Sequence, residues 1–147
     1  MMKLDNNIHN LFVRGPINSD IVAKLISENQ SNHEFGAQNI FLGRVRADKK
    51  GDARVQSIHY SAYEEMAEKE IIKIKENAAE KFGLSNISIL HSIGEVKCGE
   101  ISVLVLVSSP HREKCFESLK FIVNEIKTKV PIWKKEIYDD RSSRWIE

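Results

Sequence analysis

Ile101-Ser-Val-Leu-Val-Leu-Val-Ser108 is the stretch on which the fold of this chain depends. It is an almost continuous apolar run rich in β-branched residues, a composition typical of a strand that is buried on both faces. We therefore predict that it forms the central strand of a sheet. A second strand is predicted at residues 86–93, joined to the first by residues 94–100.

The segment after this strand predicts a helix and then another strand. Pro110 suits the first helical position and Ser109 suits the N-cap, so a helix is expected over residues 112–129. Pro131 ends the helix and restricts Val130 to an extended conformation. An extended segment is predicted at residues 132–138. The apolar side chains at helical spacing, which predict the buried face, are Phe116, Leu119, Val123, Ile126 and Val130, with Cys115 also buried.

The preceding half of the chain predicts further elements of both kinds. A short strand is expected at residues 11–15, a helix over 21–28 capped near Asn18, and a long amphipathic helix from Tyr63 to Phe82 ending at Gly83. Strands are expected at 36–46 and 54–61, paired across a mobile loop at 47–53. This mixture favours a single α+β domain over 1–147, with residues 1–10 loose, rather than a doubly wound parallel sheet.

Composition excludes several classes of protein. The chain has 147 residues, is 41% hydrophobic and 29% charged, and has a net charge of +1, so neither disorder nor nonspecific nucleic-acid binding is favoured. No apolar run approaches the roughly 18 residues of a membrane span. The two cysteines, Cys98 and Cys115, lack metal-ligand spacing, and there is no signal-peptide pattern, so we expect free structural thiols in the cytoplasm. No metal or cofactor site is predicted.

Lys127-Thr-Lys-Val-Pro-Ile-Trp-Lys134-Lys135-Glu136 surrounds a proline turn with four lysines. Because the chain turns at Pro131, Lys127 on the last helical turn and Lys134 on the emerging strand can converge. Two adjacent ammonium groups lower each other's pKa and attract anions, which predicts an anion pocket with acid–base chemistry. The alternative is a lysine-rich helix C-terminus that interacts with the helix dipole. Spacing alone favours neither interpretation.

Two other basic sites strengthen the pocket interpretation. His111 and Arg112 occupy a first helical turn, where positive charge is unfavourable unless an anion binds there. A solvated first turn followed by Glu113 is the alternative. Arg44 and Arg46 share one face of a strand beside Gly43, which permits a bulge, although such pairs are often only an exposed edge. Together the sites predict a pocket for a small phosphorylated molecule.

With these motifs in this order, and with Ile93-Gly-Glu95 and Arg144-Trp-Ile-Glu147, the chain resembles the large, catalytic subunit of molybdopterin synthase. The resemblance extends over residues 36–147 and implies an α/β hammerhead fold with a mixed or antiparallel sheet and two long amphipathic helices. It also implies a homodimer of large subunits with one small ubiquitin-like subunit at each end. The small subunit's C-terminal Gly-Gly thiocarboxylate supplies sulfur to cyclic pyranopterin monophosphate, which forms the molybdopterin dithiolene.

The resemblance also assigns roles to residues. Lys127 and Lys134 match the active-site lysines. Substrate binding is implied for Arg44, Val45 and Arg46 on one strand, for His111 and Arg112 reaching the pocket from the neighbouring protomer, and for Lys135 and Glu136.

Two other functions remain open from the sequence. A non-catalytic module of this fold, binding a phosphorylated ligand or a protein C-terminal tail, would be expected to lack the lysine pair. An RNA-binding α+β domain would need aromatic platforms on its strands, and only Phe41 and Tyr60 are available.

Overall fold

The computed structural model describes residues 11–84 and 86–146, so the expectation of a loose segment at 1–10 falls outside the described residues. These ranges contain eight strands and three helices. In chain order the elements are β1 (Phe12–Arg14), α1 (Ser19–Asn29), β2 (Ala37–Arg44), β3 (Lys49–Lys50), β4 (Ala53–Ala62), α2 (Glu64–Phe82), β5 (Asn86–Lys97), β6 (Ile101–Ser109), α3 (Arg112–Lys129), β7 (Ile132–Tyr138) and β8 (Ser143–Ile146).

The strands form one sheet in the order β2-β6-β5-β4-β7-β8, with β3 paired to β4. The named neighbours along this order are antiparallel, whereas β1 runs parallel to β5. The strand predicted to be central is β6, which lies between β2 and β5. Its side chains alternate between two apolar layers, since Val105 packs in one core cluster and Leu104 in another. The α+β prediction with a mixed sheet is therefore confirmed.

The helices cover both faces of the sheet. The long helices α2 and α3 pack together on one face, where Ile71 and Ile122 are fully buried with Val105. Leu25 of the shorter α1 packs against Leu104 on the other face. Both predicted long helices are confirmed, and α1 begins where predicted, since Asn18 accepts a hydrogen bond from the Ile21 backbone N–H.

The predicted pairing of two strands is wrong, and the segment between them is more ordered than expected. The strand at 54–61 was expected to pair with the strand at 36–46, but β2 pairs with β6 and β4 pairs with β5 and β7. The segment at 47–53 is also more regular than an open loop, since β3 folds back on β4 around Gly51, whose φ is 63°. This small hairpin uses the backbone groups of the connection locally, which leaves β4 free to pair with strands that are distant in sequence.

The helix α3 spans the predicted residues, 112–129, but its capping residue and its buried face differ from the prediction. Ser109 is the last residue of β6, paired with Ala37, so it cannot cap the helix, and His111 is the N-cap residue instead. Pro110 consequently precedes the helix. Phe116 was expected on the buried face but is 61% exposed, whereas Cys115 and Ile122 are buried as part of the core. The buried stripe is thus rotated by about one residue.

Candidate functional site

A cavity of about 360 Å³ lies between the C-terminal half of α3, the first half of β7 and the sheet. Its walls are largely aliphatic, and its polar side chains come from five different elements. In the described ranges no carboxylate lines it; the lining residues are Phe41, Tyr60, His91, Ser102, Val103, Val105, Val123, Ile126, Lys127, Val130, Ile132, Lys134 and Ile146.

The two lysines predicted to converge do line this cavity together. Lys127 lies on the last turn of α3, and the extended Val130, with ψ of 125°, directs the chain into β7. Lys134 then follows two residues after the start of that strand. Burial lowers the pKa of the Lys134 amine, and the nearby positive charge of Lys127 lowers this pKa further. The predicted mutual influence of the two amines is therefore present at Lys134.

Side chains alternate along β7, and this alternation separates the neighbouring lysines. Lys134 faces the cavity, whereas Lys135 lies on the other face, with its Nζ 5.5 Å from the ring centroid of Trp145. Glu136 shares the face of Lys134 but is buried beyond it, where its Oε1 accepts a 2.8 Å hydrogen bond from the Tyr138 hydroxyl. In the described part of the chain, therefore, neither Lys135 nor Glu136 lines the lysine cavity.

His91 and Tyr60 form the polar floor of the cavity, and no sequence motif places either of them in a site with the lysines. Their rings meet edge to face with centroids 5.1 Å apart. Burial raises the pKa of the Tyr60 hydroxyl, and a hydrogen bond with Ser102 partly offsets this effect. The strand β5 brings His91 next to Tyr60 because it pairs with β6 up to His91 and with β4, the strand of Tyr60, from Gly94. Gly94 has φ of 93°, a conformation that favours glycine.

His91 is held as a neutral imidazole. Its Nδ1 lies 2.8 Å from the carbonyl oxygen of Ser92, which can only accept, so Nδ1 carries the proton. Burial lowers the His91 pKa to about 4, the hydrogen bond to Ser92 opposes this, and the charge of Lys134 lowers the pKa further. The sequence does not single out this histidine, because residues 87–93 also contain Ser88 and Ser92, so one more polar residue there is no signal of a site.

The predicted arginine strand lies outside the lysine cavity. Arg44 ends β2 at a register shift beside Gly43, which confirms the bulge, and its Nε donates a 2.9 Å hydrogen bond to the carbonyl oxygen of Gly99. Arg46 follows the strand and forms an exposed ion pair with Asp48 at 3.3 Å. Because β2 ends at Arg44, the two arginines do not share a strand face.

Val45, between these arginines, is a core residue rather than a surface one. It is 4% exposed and packs with Val55 and Val96 in a second core cluster. Its N–H donates to the carbonyl oxygen of Glu100, and its own carbonyl oxygen accepts from Gly99. Its backbone polar groups are thus both already used within the chain.

His111 and Arg112 line a different, more open cleft of about 480 Å³ at the other end of α3. Both side chains are exposed, and Phe82 and Gly83 at the end of α2 form the opposite side. His111 adopts an extended conformation and makes no side-chain capping hydrogen bond, so the first backbone N–H groups of α3 receive no side-chain cap from it. Within one chain, this basic pair and the lysine pair therefore belong to separate sites.

The lysine cavity has the properties of an anion-binding and proton-transferring site. Two amines lie among aliphatic walls that weaken solvent screening, and the neutral His91 adds an acceptor without adding charge. The two cysteines lie elsewhere: the Sγ of Cys115 is buried 3.6 Å from the Val107 carbonyl oxygen, and the Sγ of Cys98 donates to the Val55 carbonyl oxygen. None of the helices in the described ranges is both long and apolar enough to cross a bilayer.

The chain is similar to proteins of one family along most of its length. A family model described as MoaE protein matches residues 13–129. The molybdopterin synthase catalytic subunit of Pyrococcus abyssi is 42% identical over 117 residues, which cover 80% of this chain and 78% of that protein. The Drosophila melanogaster protein of the same name is 40% identical over 141 residues; these cover 95% of this chain but 37% of the longer fly protein.

Solved structures agree with the sequence matches. The crystal structure of molybdopterin synthase from Staphylococcus aureus superposes with a TM-score of 0.83 at 35% identity and covers 100% of this chain and 99% of that one. A complex of subunits 1 and 2 of molybdopterin-converting factor from Helicobacter pylori, at 23% identity and a TM-score of 0.77, shares the fold. From the family match and these relatives, the chain belongs to the MoaE protein family, that of the molybdopterin synthase catalytic subunits.

Proposed function

We propose that this chain is the sulfur-transferring subunit of a molybdopterin synthase. It takes sulfur from the thiocarboxylated C-terminal Gly-Gly of a small ubiquitin-like subunit and adds it to cyclic pyranopterin monophosphate, which gives the dithiolene of molybdopterin. Membership of the family supports this reaction. The observation that carries the site assignment is the convergence of Lys127 and Lys134 in one cavity with mainly aliphatic walls.

The lysines suit the charges that this reaction involves. The thiocarboxylate and the phosphate are both anionic, and attack on a carbonyl carbon develops a further negative charge on oxygen. Lys127 lies at the exposed edge of the cavity, where its ammonium group can meet an incoming anionic tail. Lys134 lies deeper, and its lowered pKa brings the amine closer to the range in which it exchanges protons.

We propose that the complete site is formed by two copies of the chain. His111 and Arg112 line a cleft apart from the lysine cavity, so within one chain they cannot bind the same small substrate as the lysines. A homodimer that places this end of α3 against the partner's lysine cavity would bring the two together. Arg44, Arg46 and Lys135 lie outside the lysine cavity and are proposed to contribute to substrate binding in the assembled site, with the buried Val45 and Glu136 supporting the backbone around them. With one small subunit bound to each large subunit, this homodimer becomes a heterotetramer. We place this assembly in the cytoplasm.

The decisive experiment reconstitutes the reaction. The purified chain is mixed with a thiocarboxylated small subunit and cyclic pyranopterin monophosphate, and molybdopterin is measured. Product is expected only when all three components are present. If a known large subunit forms product under the same conditions and this chain does not, the enzymatic assignment is wrong.

The same assay separates the enzyme from a non-catalytic binding module. A module would bind the phosphorylated ligand or the protein tail stoichiometrically without forming product. A lowered pKa at Lys134 suits a group that exchanges protons during turnover, a role that a binding module does not require. The RNA-binding alternative is disfavoured by the position of Phe41 and Tyr60, which line the cavity rather than an open sheet face.

A further inference from the structure

His91 presents one unused acceptor to the lysine cavity. Its Nδ1–H is committed to the Ser92 carbonyl oxygen, so the other ring nitrogen, Nε2, carries the lone pair of the neutral imidazole. In the described residues no hydrogen bond is formed at Nε2. The residue is only 6% exposed and lies beneath the cavity, so this lone pair has little access to bulk water.

Lys134 has the complementary requirement. Its ammonium group has three N–H donors, yet within the described ranges it forms neither a hydrogen bond nor an ion pair. The side chain is partly buried among aliphatic residues such as Ile132 and Ile146, where an unpaired charged donor is costly. The two groups are close in the fold: both line the cavity, and Tyr60, the cross-strand partner of Lys134, meets the His91 ring with centroids 5.1 Å apart.

The other polar groups around the cavity do not satisfy this need equally well. The Tyr60 hydroxyl, from β4, already interacts with Ser102 of β6. Lys127, from α3, carries the same charge as Lys134 and repels it. Among the described residues no carboxylate lines the cavity, and of the side chains that do, the imidazole of His91 is an uncharged acceptor without a competing partner.

We propose that His91 is a positioning residue for Lys134: its Nε2 accepts a hydrogen bond from the Lys134 ammonium group and directs this group to the reacting atoms. This inference rests on the proposed sulfur-transfer function. The strand β5 thereby contributes to the site by holding Lys134 in place, and His91 itself acts without contacting the substrate. The interaction also explains why a histidine kept neutral by burial is compatible with a cavity that already holds two cationic side chains.

Two substitutions separate this role from a structural one. In His91→Gln the side-chain amide reaches the position of Nε2, whereas in His91→Asn it lies near Nδ1 and can keep the bond to Ser92. Loss of the acceptor for a charged donor is expected to lower kcat in His91→Asn about tenfold more than in His91→Gln, with KM changed less. A purely structural role through Ser92 predicts the reverse order. Equal losses in the two variants would likewise overturn the proposal.

A second measurement does not depend on turnover. The Lys134 signal in the NMR spectrum of the full chain, identified by its absence in Lys134→Gln, is titrated in each variant. Since an acceptor stabilises the ammonium form, the Lys134 pKa should fall in His91→Asn and stay nearer the wild-type value in His91→Gln. An unchanged Lys134 pKa in His91→Asn would refute the hydrogen bond. If the chain lacked synthase activity but this order held, the sulfur-transfer function would fail while the His91–Lys134 interaction stood.

Discussion

The two ends of α3 both carry basic side chains, but they lie in different surroundings. At the C-terminal end, Lys127 meets Lys134 in a cavity with mainly aliphatic walls, and the Lys134 pKa is lowered. At the N-terminal end, His111 and Arg112 are exposed in an open cleft. Within a single chain, therefore, the surroundings change the pKa of a basic group at the C-terminal end of α3. The second site presents its positive charge to solvent, where another molecule can reach it.

The largest effect that tests this contrast is expected from Lys127→Ala. Removing the ammonium group should reduce dithiolene formation by about a hundredfold or more, since it takes away a charge placed where negative charge develops. Because Lys127 is exposed, the free energy of unfolding and the dimerisation of the chain should change little. Single-turnover formation of molybdopterin measures the effect.

Lys129→Ala is the matched control for this substitution. Lys129 lies on the same last turn of α3, but its ammonium group forms an exposed 2.8 Å ion pair with Glu125 and does not line the cavity. Near-wild-type turnover is expected. Full activity in Lys127→Ala, or equal losses in the two variants, would contradict a specific role for the cavity lysine.

Lys134→Ala should have the next largest effect, a loss of turnover of about tenfold to a hundredfold. Lys134→Arg sharpens the test, because arginine restores the positive charge but does not exchange protons at accessible pH. If the lowered pKa of Lys134 matters, the arginine variant should remain impaired and lose the alkaline limb of the pH–rate profile. Wild-type activity in Lys134→Arg would show that Lys134 contributes only its positive charge and does not transfer protons.

Mixing two inactive variants tests whether the open cleft serves a partner's cavity. In a hybrid dimer of Lys127→Ala and Arg112→Ala protomers, one of two composite sites is intact. If equal amounts of the two variants exchange subunits at random, about half of the dimers are hybrids, so about a quarter of all sites are intact. The mixture should therefore recover about a quarter of the wild-type activity. If both ends of α3 served one chain, every site would keep a defect and the mixture would stay inactive.

The elements around these sites could largely be predicted from the sequence because their determinants are local. The end of α3 at Pro131, the strand that follows it and the apolar run of β6 each depend on a few neighbouring residues. The convergence of Lys127 and Lys134 followed from this local geometry. The pairing of β2 with β6 could not be predicted in this way, because an antiparallel partner is selected by the packing of the whole sheet.

The floor of the cavity was missed for the same physical reason. His91 and Tyr60 are 31 positions apart in the sequence, and they meet only because β5 pairs with both β4 and β6. Likewise, the sequence placed Lys135 beside Lys134 in one binding stretch, but alternation along β7 directs it to the other face. Phe116 lies at the surface because the buried stripe of α3 follows Cys115 and Ile122 instead.

The smallest effect concerns stability and compares one histidine from each region. His91 has a folded-state pKa of about 4, below the value of about 6.5 expected when the chain is unfolded. Between these values the unfolded chain binds a proton that the folded chain does not. The His91 contribution to stability is therefore complete above pH 6.5 and decreases as the pH falls towards 4, by at most about 3 kcal/mol.

Urea unfolding of the wild type and of His91→Gln at several pH values between 4 and 7 measures this contribution. The difference in unfolding free energy between the two proteins should change across the window in favour of the variant at low pH, because the glutamine has no proton to gain. His111→Gln, at an exposed histidine of the open cleft, is the matched control for the substitution itself. Parallel curves for wild type and His91→Gln would show that water reaches the cavity floor as freely as it reaches the cleft, and the contrast between the two ends of α3 would then not hold.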